Sequence, residues 1–155
     1  MFRPLTEVPE WVLLVEDEAI QQTLLKAVVN RLLPKVPVDQ VSTVDEAQAW
    51  FDRRWAGHHD LTYGLVILDL GLPRASGFEV LEWLRERRDL EEISVVVLTA
   101  SENPLDAEHA FHLGARGYYQ KPADTAVYRE IFQEILGRSP AVVRAAASRR
   151  SVRAR

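Results

Sequence analysis

The chain has 155 residues, of which 47% are apolar and 27% charged, with no cysteine and a formal net charge of −4. A chain of this length forms one compact domain with a hydrophobic core, without a second domain of ordinary size. Lack of cysteine excludes disulfides, thiolate metal sites and cysteine nucleophiles.

No stretch approaches the ~18 apolar residues of a membrane span, and residues 1–10 read as a short extension rather than a signal or targeting segment. A cytoplasmic location is therefore expected. Six of the 19 Lys/Arg residues fall in the last 18 positions, which hold no acid, leaving 13 against 23 Asp/Glu, or −10, in the preceding 137 residues. An acidic body with a basic tail is not the charge distribution of a nucleic-acid-binding fold. Residues 138–155 are expected to be a solvated, flexible tail, and residues 11–137 the domain.

Within that domain, apolar runs of strand length alternate with longer segments of helical period. In chain order they predict strand Trp11–Val15, helix Ala19–Leu33 stopped by Pro34, strand Val36–Val41, and helix Val44–Ala56 capped by Thr43 or Asp45. The stretch WAGHHDLTYG (55–64) makes a long connection. Strand Leu65–Leu68, helix Gly77–Arg88, strand Ser94–Leu98, helix Leu105–Leu113 followed by Gly114, strand Gly117–Gln120 and helix Asp124–Leu136 complete the pattern. The runs WVLLV, LVIL and SVVVL lack polar alternation, so both faces of a parallel sheet should be covered.

In a doubly wound sheet, ligands gather at the carboxyl ends of the strands. Here those ends carry Glu16-Asp17-Glu18, Asp69, Thr99 and Lys121-Pro122. Two carboxylates about 5 Å apart repel by roughly 3 kcal/mol at an effective dielectric near 20. Such a cluster must therefore raise its pKa values, pair with Lys121 or bind a cation. A hard divalent ion suits it, and a carboxylate beside that ion can act as the nucleophile in phosphoryl transfer while Thr99 and Lys121 donate to phosphoryl oxygens.

From about Trp11 to Leu136 the residues resemble the receiver domain of two-component response regulators. VLLVEDE resembles the first-strand acidic pair, and LVILDLGLPRASG the stretch around the phosphoacceptor, with Pro73 four and Gly77 eight residues after Asp69. SVVVLTA and GARGYYQKP match the strands ending in the switch hydroxyl and the Lys-Pro pair. The resemblance implies a flavodoxin-like (βα)5 α/β fold with a five-stranded parallel sheet in order 2-1-3-4-5. It also implies Asp69 as phosphoacceptor, assisted by Thr99 and Lys121, with Thr99 and Tyr118 as the switch pair. The implied ligands for Mg2+ or Mn2+ are Glu16, Asp17, Asp69 and the Gly71 carbonyl, with Asp17 the more direct of the first-strand pair. A cis Lys121–Pro122 bond is implied as well. Ala123, where the family commonly carries phenylalanine, and the long 55–64 connection depart from the pattern.

The expected function is that of a stand-alone signalling switch rather than an enzyme with an external substrate. It would take its phosphoryl group from a sensor histidine kinase or phosphotransfer protein, promote its own phosphorylation and dephosphorylation, and signal to a downstream protein without a DNA-binding domain. Homodimerisation through the fourth helix, fifth strand and fifth helix is a further expectation. Gly71 and Ser101 supply no carboxamide or carboxylate to orient a water, so rapid self-hydrolysis is not expected.

A phosphorelay intermediate is the alternative, and a metal-dependent aspartyl-phosphate phosphatase a weaker one. A phosphatase usually shows an Asp-x-Asp pair, whereas Asp17 lies between Glu16 and Glu18. A flavin carrier is disfavoured because EDEAIQQ would repel a phosphate. His58, His59, His109 and His112 lack the companion ligands of a metal site.

Overall fold

A computed structural model describes residues 5–57, 63–90, 92–137 and 151–152. Strands β1 (Trp11–Val15), β2 (Val38–Val41), β3 (Gly64–Leu68), β4 (Ser94–Thr99) and β5 (Gly117–Gln120) pair in parallel in the order 2-1-3-4-5. Helices α1 (Ala19–Leu32), α2 (Val44–Gly57), α3 (Phe78–Arg85), α4 (Pro104–His112) and α5 (Val127–Ile135) connect or follow them. This is the expected flavodoxin-like arrangement. One element was not foreseen: β6 (Ser151–Val152), from the basic tail, pairs antiparallel with β5 and makes the sheet six-stranded.

The unbroken apolar runs behave as their composition demands. Every residue of β1 and β3 is buried, and the side chains divide by strand alternation into two cores. Leu13, Val15, Val66, Leu68, Val95 and Val97 pack against α2, α3 and α4 on one face. Val12, Leu14, Leu65, Ile67, Val96 and Leu98 pack against α1 and α5 on the other. Trp11, Trp50 and Phe51 join the first core, with Trp83 against it.

Element ends follow local chemistry. Strand β2 starts two residues later than predicted because Pro37 has no N–H for the ladder. Of the two proposed caps for α2, Thr43 is the one used: its Oγ1 accepts from Glu46 N–H, while the Glu46 carboxylate accepts from Ser42 N–H. That reciprocal arrangement resembles a capping box. Helix α3 ends at Arg85 instead of Arg88, the chain tightening into a 3-10 turn at Arg88–Leu90. Helix α5 starts at Val127 and not at the predicted Asp124, because the Asp124 carboxylate takes Ala126 N–H in a turn. Gly114 adopts a φ of 99° just past α4, as a helix terminator should.

The Lys121–Pro122 bond is trans, contrary to the expectation of cis. Trans is the lower-energy form of an X–Pro bond by about 0.5–1 kcal/mol. Half of the connection 55–64, residues 58–62 with His58 and His59 among them, lies outside the described residues. Among the described residues no helix is long and apolar enough to cross a membrane.

Candidate functional site

Parallel pairing in register brings four strand ends to one rim. Glu16 follows β1 directly and is held by its N–H to the Val41 carbonyl (3.0 Å), while Asp69 follows β3 and donates its N–H to the Val15 carbonyl (3.0 Å). Thr99 ends β4, and its carbonyl accepts from Lys121 N–H (2.7 Å) beyond β5. Four residues distant in sequence are thereby fixed by main-chain bonds that do not depend on their side chains.

Lys121 Nζ bridges two carboxylates, reaching Asp69 Oδ2 at 2.8 Å and Glu16 Oε2 at 2.9 Å. Both acids are inside the protein, at 1% exposure for Glu16 and 6% for Asp69. The second Asp69 oxygen, Oδ1, accepts from Gly71 N–H at 3.0 Å, and Glu16 Oε1 accepts from Glu18 N–H at 3.2 Å. Asp17 is exposed at the rim, yet one carboxylate oxygen from each of Glu16, Asp17 and Asp69 lies within 4.8 Å of the others. They are the one cluster of acids or histidines among the described residues that is spaced to hold a metal ion. Lys121 neutralises only part of this charge, and an all-oxygen donor set is what a hard divalent cation takes.

The electrostatics separate the two buried acids. Burial pushes Glu16 up to about 7, despite the opposing hydrogen bond from Lys121. Burial acts in the same sense on Asp69, but hydrogen bonds from Lys121 and Gly71 N–H outweigh it and hold the carboxyl below its ordinary value. For Lys121 burial favours the neutral amine, and the two carboxylates overcome it, raising its pKa. Asp69 is thus ionised at neutral pH, as a nucleophile must be.

Above these groups opens a cleft of about 420 Å³ lined by Glu18, Asp69, Gly71, Ser76, Thr99 and Lys121. The loop from Asp69 to α3 is shaped by Gly77, whose N–H donates to the Leu70 carbonyl. A β-carbon at Gly77 would stand 2.2 Å from the Asp69 carbonyl oxygen. Thr99 is 2% exposed, and its Oγ1 accepts a long bond from Ser101 N–H (3.4 Å). Tyr118, also 2% exposed, is packed inward in the α3/α4 core, and burial raises its phenol, offset in part by Ser101.

Of the seven residues singled out from the sequence, Asp69, Gly71, Thr99 and Lys121 line this cleft, Glu16 and Asp17 cluster with Asp69, and Tyr118 is packed into the core behind it. Two supports escaped that reading. Gln22 donates to both the Glu16 carbonyl and Ser42 Oγ, tying α1 to the acidic turn. Ser101 Oγ donates to Asp106 at 2.5 Å and bridges the turn after Thr99 to α4. Glutamine in the first turns of a helix, or serine two residues after a strand, carries no signal until the tertiary partner is known.

Residues 12–133 match the response regulator receiver domain family. Among curated proteins, the response regulator protein GraR of Staphylococcus aureus is 34% identical over 77 residues, covering 44% of this chain and 33% of GraR. The chain therefore matches about a third of the length of that relative. Among solved structures, the phosphorylated cyanobacterial phytochrome response regulator RcpA superposes with a TM-score of 0.70 at 29% identity, over 84% of this chain and 91% of RcpA. The Mn(2+)-bound response regulator Rcp1 gives 0.68 at 26%, over 83% and 95%. With its five parallel strands in order 2-1-3-4-5 and its acidic rim, this chain belongs to the response regulator receiver domain family of two-component signalling.

Proposed function

We propose that the domain accepts a phosphoryl group on Asp69 from a sensor histidine kinase or a phosphotransfer protein, in the presence of Mg2+ or Mn2+, and passes the signal on through altered protein contacts. The observation that carries this reading is the geometry at Asp69: a buried carboxylate kept ionised by Lys121 at 2.8 Å and by Gly71 N–H at 3.0 Å, at the floor of an open cleft.

In the transfer step an Asp69 oxygen supplies the electron pair for a new P–O bond while the P–N bond of the donor phosphohistidine breaks, and the imidazole leaves with that bond's electrons. Lys121, already within reach of both carboxylates, turns to the phosphoryl oxygens as negative charge gathers there. The Thr99 hydroxyl donates to the same group. Glu16, Asp17 and Asp69, with the Gly71 carbonyl assigned by family resemblance, would hold a divalent cation, which when bound would supply charge neutralisation at those oxygens. The resulting aspartyl phosphate is a change of state of the domain itself, so the chain works as a switch and not as an enzyme on an external substrate.

Beside the rim, Ile20 is 82% exposed and forms an apolar surface with Ala19, Thr23, Leu24 and Ala27. It is a surface of the kind that a docking donor helix covers. Thr99 and Tyr118 form the switch pair of this reading, and the face of α4, β5 and α5 behind them is where a downstream protein or a second copy would bind.

The test is incubation with acetyl phosphate, with and without Mg2+, followed by intact mass. The expected result is one hydroxylamine-labile phosphoryl adduct that requires the metal and is absent in Asp69→Asn. An adduct that survives in Asp69→Asn would overturn the assignment.

A further inference from the structure

Beyond Asp69, Thr99 and Lys121, the wall of the cleft carries a second polar pair that phosphoryl transfer to Asp69 does not use. Ser101 and Asp106 both line the cavity that holds Asp69 and Lys121, and both are half-buried. Ser101 Oγ donates to Asp106 Oδ2 at 2.5 Å, the length of a charge-assisted bond to a carboxylate.

Main chain holds the pair from both sides. Ser101 lies two residues beyond Thr99, the end of β4, and its N–H reaches Thr99 Oγ1. Asp106 stands in the first turn of α4, which Asn103 caps: the Asn103 side chain accepts from Leu105 N–H at 3.1 Å, and its carbonyl accepts from Asp106 N–H at 3.0 Å. Residue 101 has no carboxylate of its own, but the fold brings one to it from five residues later.

A hydroxyl offers one donor and two acceptor positions. The Ser101 donor is used by Asp106, and one acceptor position takes Asn103 N–H at 3.2 Å. The other is free to take a proton from water in the cleft. A second hydroxyl is at hand. Tyr118 is 2% exposed, and among the described residues its O–H has no hydrogen-bond partner, although Ser101, Asp106 and Asp69 all act on its phenol. Buried hydroxyls take a partner where one comes within reach, so a water at Ser101 would be held from two sides.

We infer, taking Asp69 as the phosphoacceptor, that Ser101 and Asp106 form the hydrolytic element of this site: Ser101 seats the water that removes the phosphoryl group, and Asp106 draws off its proton through Ser101. The water oxygen supplies the electron pair for a new P–O bond. The bond between phosphorus and the Asp69 oxygen breaks, and its electrons stay with the carboxylate. One water proton passes to Ser101 Oγ as the Ser101 proton passes to Asp106, which then releases it to solvent. The products are the free Asp69 carboxylate, hydrogenphosphate and a proton. Ser101 touches the reacting water, while Asp106 acts through Ser101 as a positioning residue. The lifetime of the phosphorylated state is then set by residues of the domain itself.

The test loads the full chain with acetyl phosphate and Mg2+, removes the donor by desalting, and follows loss of the adduct by intact mass. Decay is first order in adduct, so a variant that loads less fully is read equally well. Asp106→Asn keeps the size of the side chain and an oxygen for Ser101, and both it and Ser101→Ala should slow decay at least about tenfold, the low side of a general-base effect. The double variant should be no slower than the slower single variant, because the two residues act as one unit. Slowing of decay in D2O should be larger for the native chain than for Asp106→Asn. A native decay rate in Asp106→Asn would overturn the inference, as would a double variant whose slowing is the product of the two single effects, or equal isotope effects in the two proteins. A native chain that takes up no adduct would instead end the phosphoacceptor reading, and this inference with it.

Discussion

Gly77→Ala is the sharpest test of how the fold holds Asp69. A β-carbon at position 77 meets the Asp69 carbonyl oxygen at 2.2 Å and Leu70 Cα at 2.8 Å. Ordinary contact begins at 3.4 Å, so the loop must open by about 1.2 Å, and because both obstacles are main chain no rotamer change relieves the overlap. The Asp69 N–H is also tied to the Val15 carbonyl at 3.0 Å, so the shift works against the β1–β3 ladder. Overpacking of this kind costs about 1–3 kcal/mol. Displacing a reacting group by about 1 Å lowers a rate by about a hundredfold.

The assay pairs urea denaturation with the initial rate of phosphoryl incorporation from acetyl phosphate. Gly71→Ala is the control, because a β-carbon there finds only Asp69 Oδ1, at an ordinary 3.8 Å. A Gly77→Ala protein with native stability and native rate would refute the reasoning and show that the loop relaxes without moving Asp69.

Three further predictions concern charge and packing. Glu16 has a folded pKa of about 7 against an ordinary 4.5, so the folded state holds the extra proton between those values. Its contribution to stability is complete below about pH 4.5 and is lost as pH rises through 7, by up to about 3 kcal/mol at 1.36 kcal/mol per unit. Urea titrations at pH 5 and pH 8 should show that loss in the native chain and not in Glu16→Gln, and millimolar Mg2+ should reduce it. Asp69, whose pKa is lowered, has the opposite sign: its contribution is present above the ordinary value of 3.8 and is lost as pH falls below it.

Lys121→Met leaves two buried carboxylates without their shared cation and should cost about 3 kcal/mol or more at pH 8 without metal, checked by thermal and urea unfolding, with added Mg2+ restoring part of it. Gly64→Ala places a β-carbon 1.9 Å from the Trp11 ring, so the indole must leave its tilted contact with Trp50. Near-ultraviolet circular dichroism and tryptophan emission should change together, with destabilisation of about 1–3 kcal/mol; unchanged spectra would mean that the ring has another place to go.

Much of this protein was legible in its sequence because the deciding physics is local or periodic. Unbroken apolar runs such as VVVL can be buried only on both faces, and in a parallel sheet the polar residue that ends each run must reach the same rim. Residue types and strand order alone therefore bring Glu16, Asp69, Thr99 and Lys121 together. Tertiary structure alone decided the rest. Whether Lys121 would reach one carboxylate or two, and whether Glu16 or Asp69 would carry the raised pKa, depends on burial and on distances of about 3 Å that residue types do not encode. Gly77 is required by the close approach of a backbone eight residues earlier. The pairing of Ser151–Val152 with β5 was not foreseen because an edge accepts almost any extended segment: its bonds are main-chain bonds, and only the folded sheet shows which edge is left open.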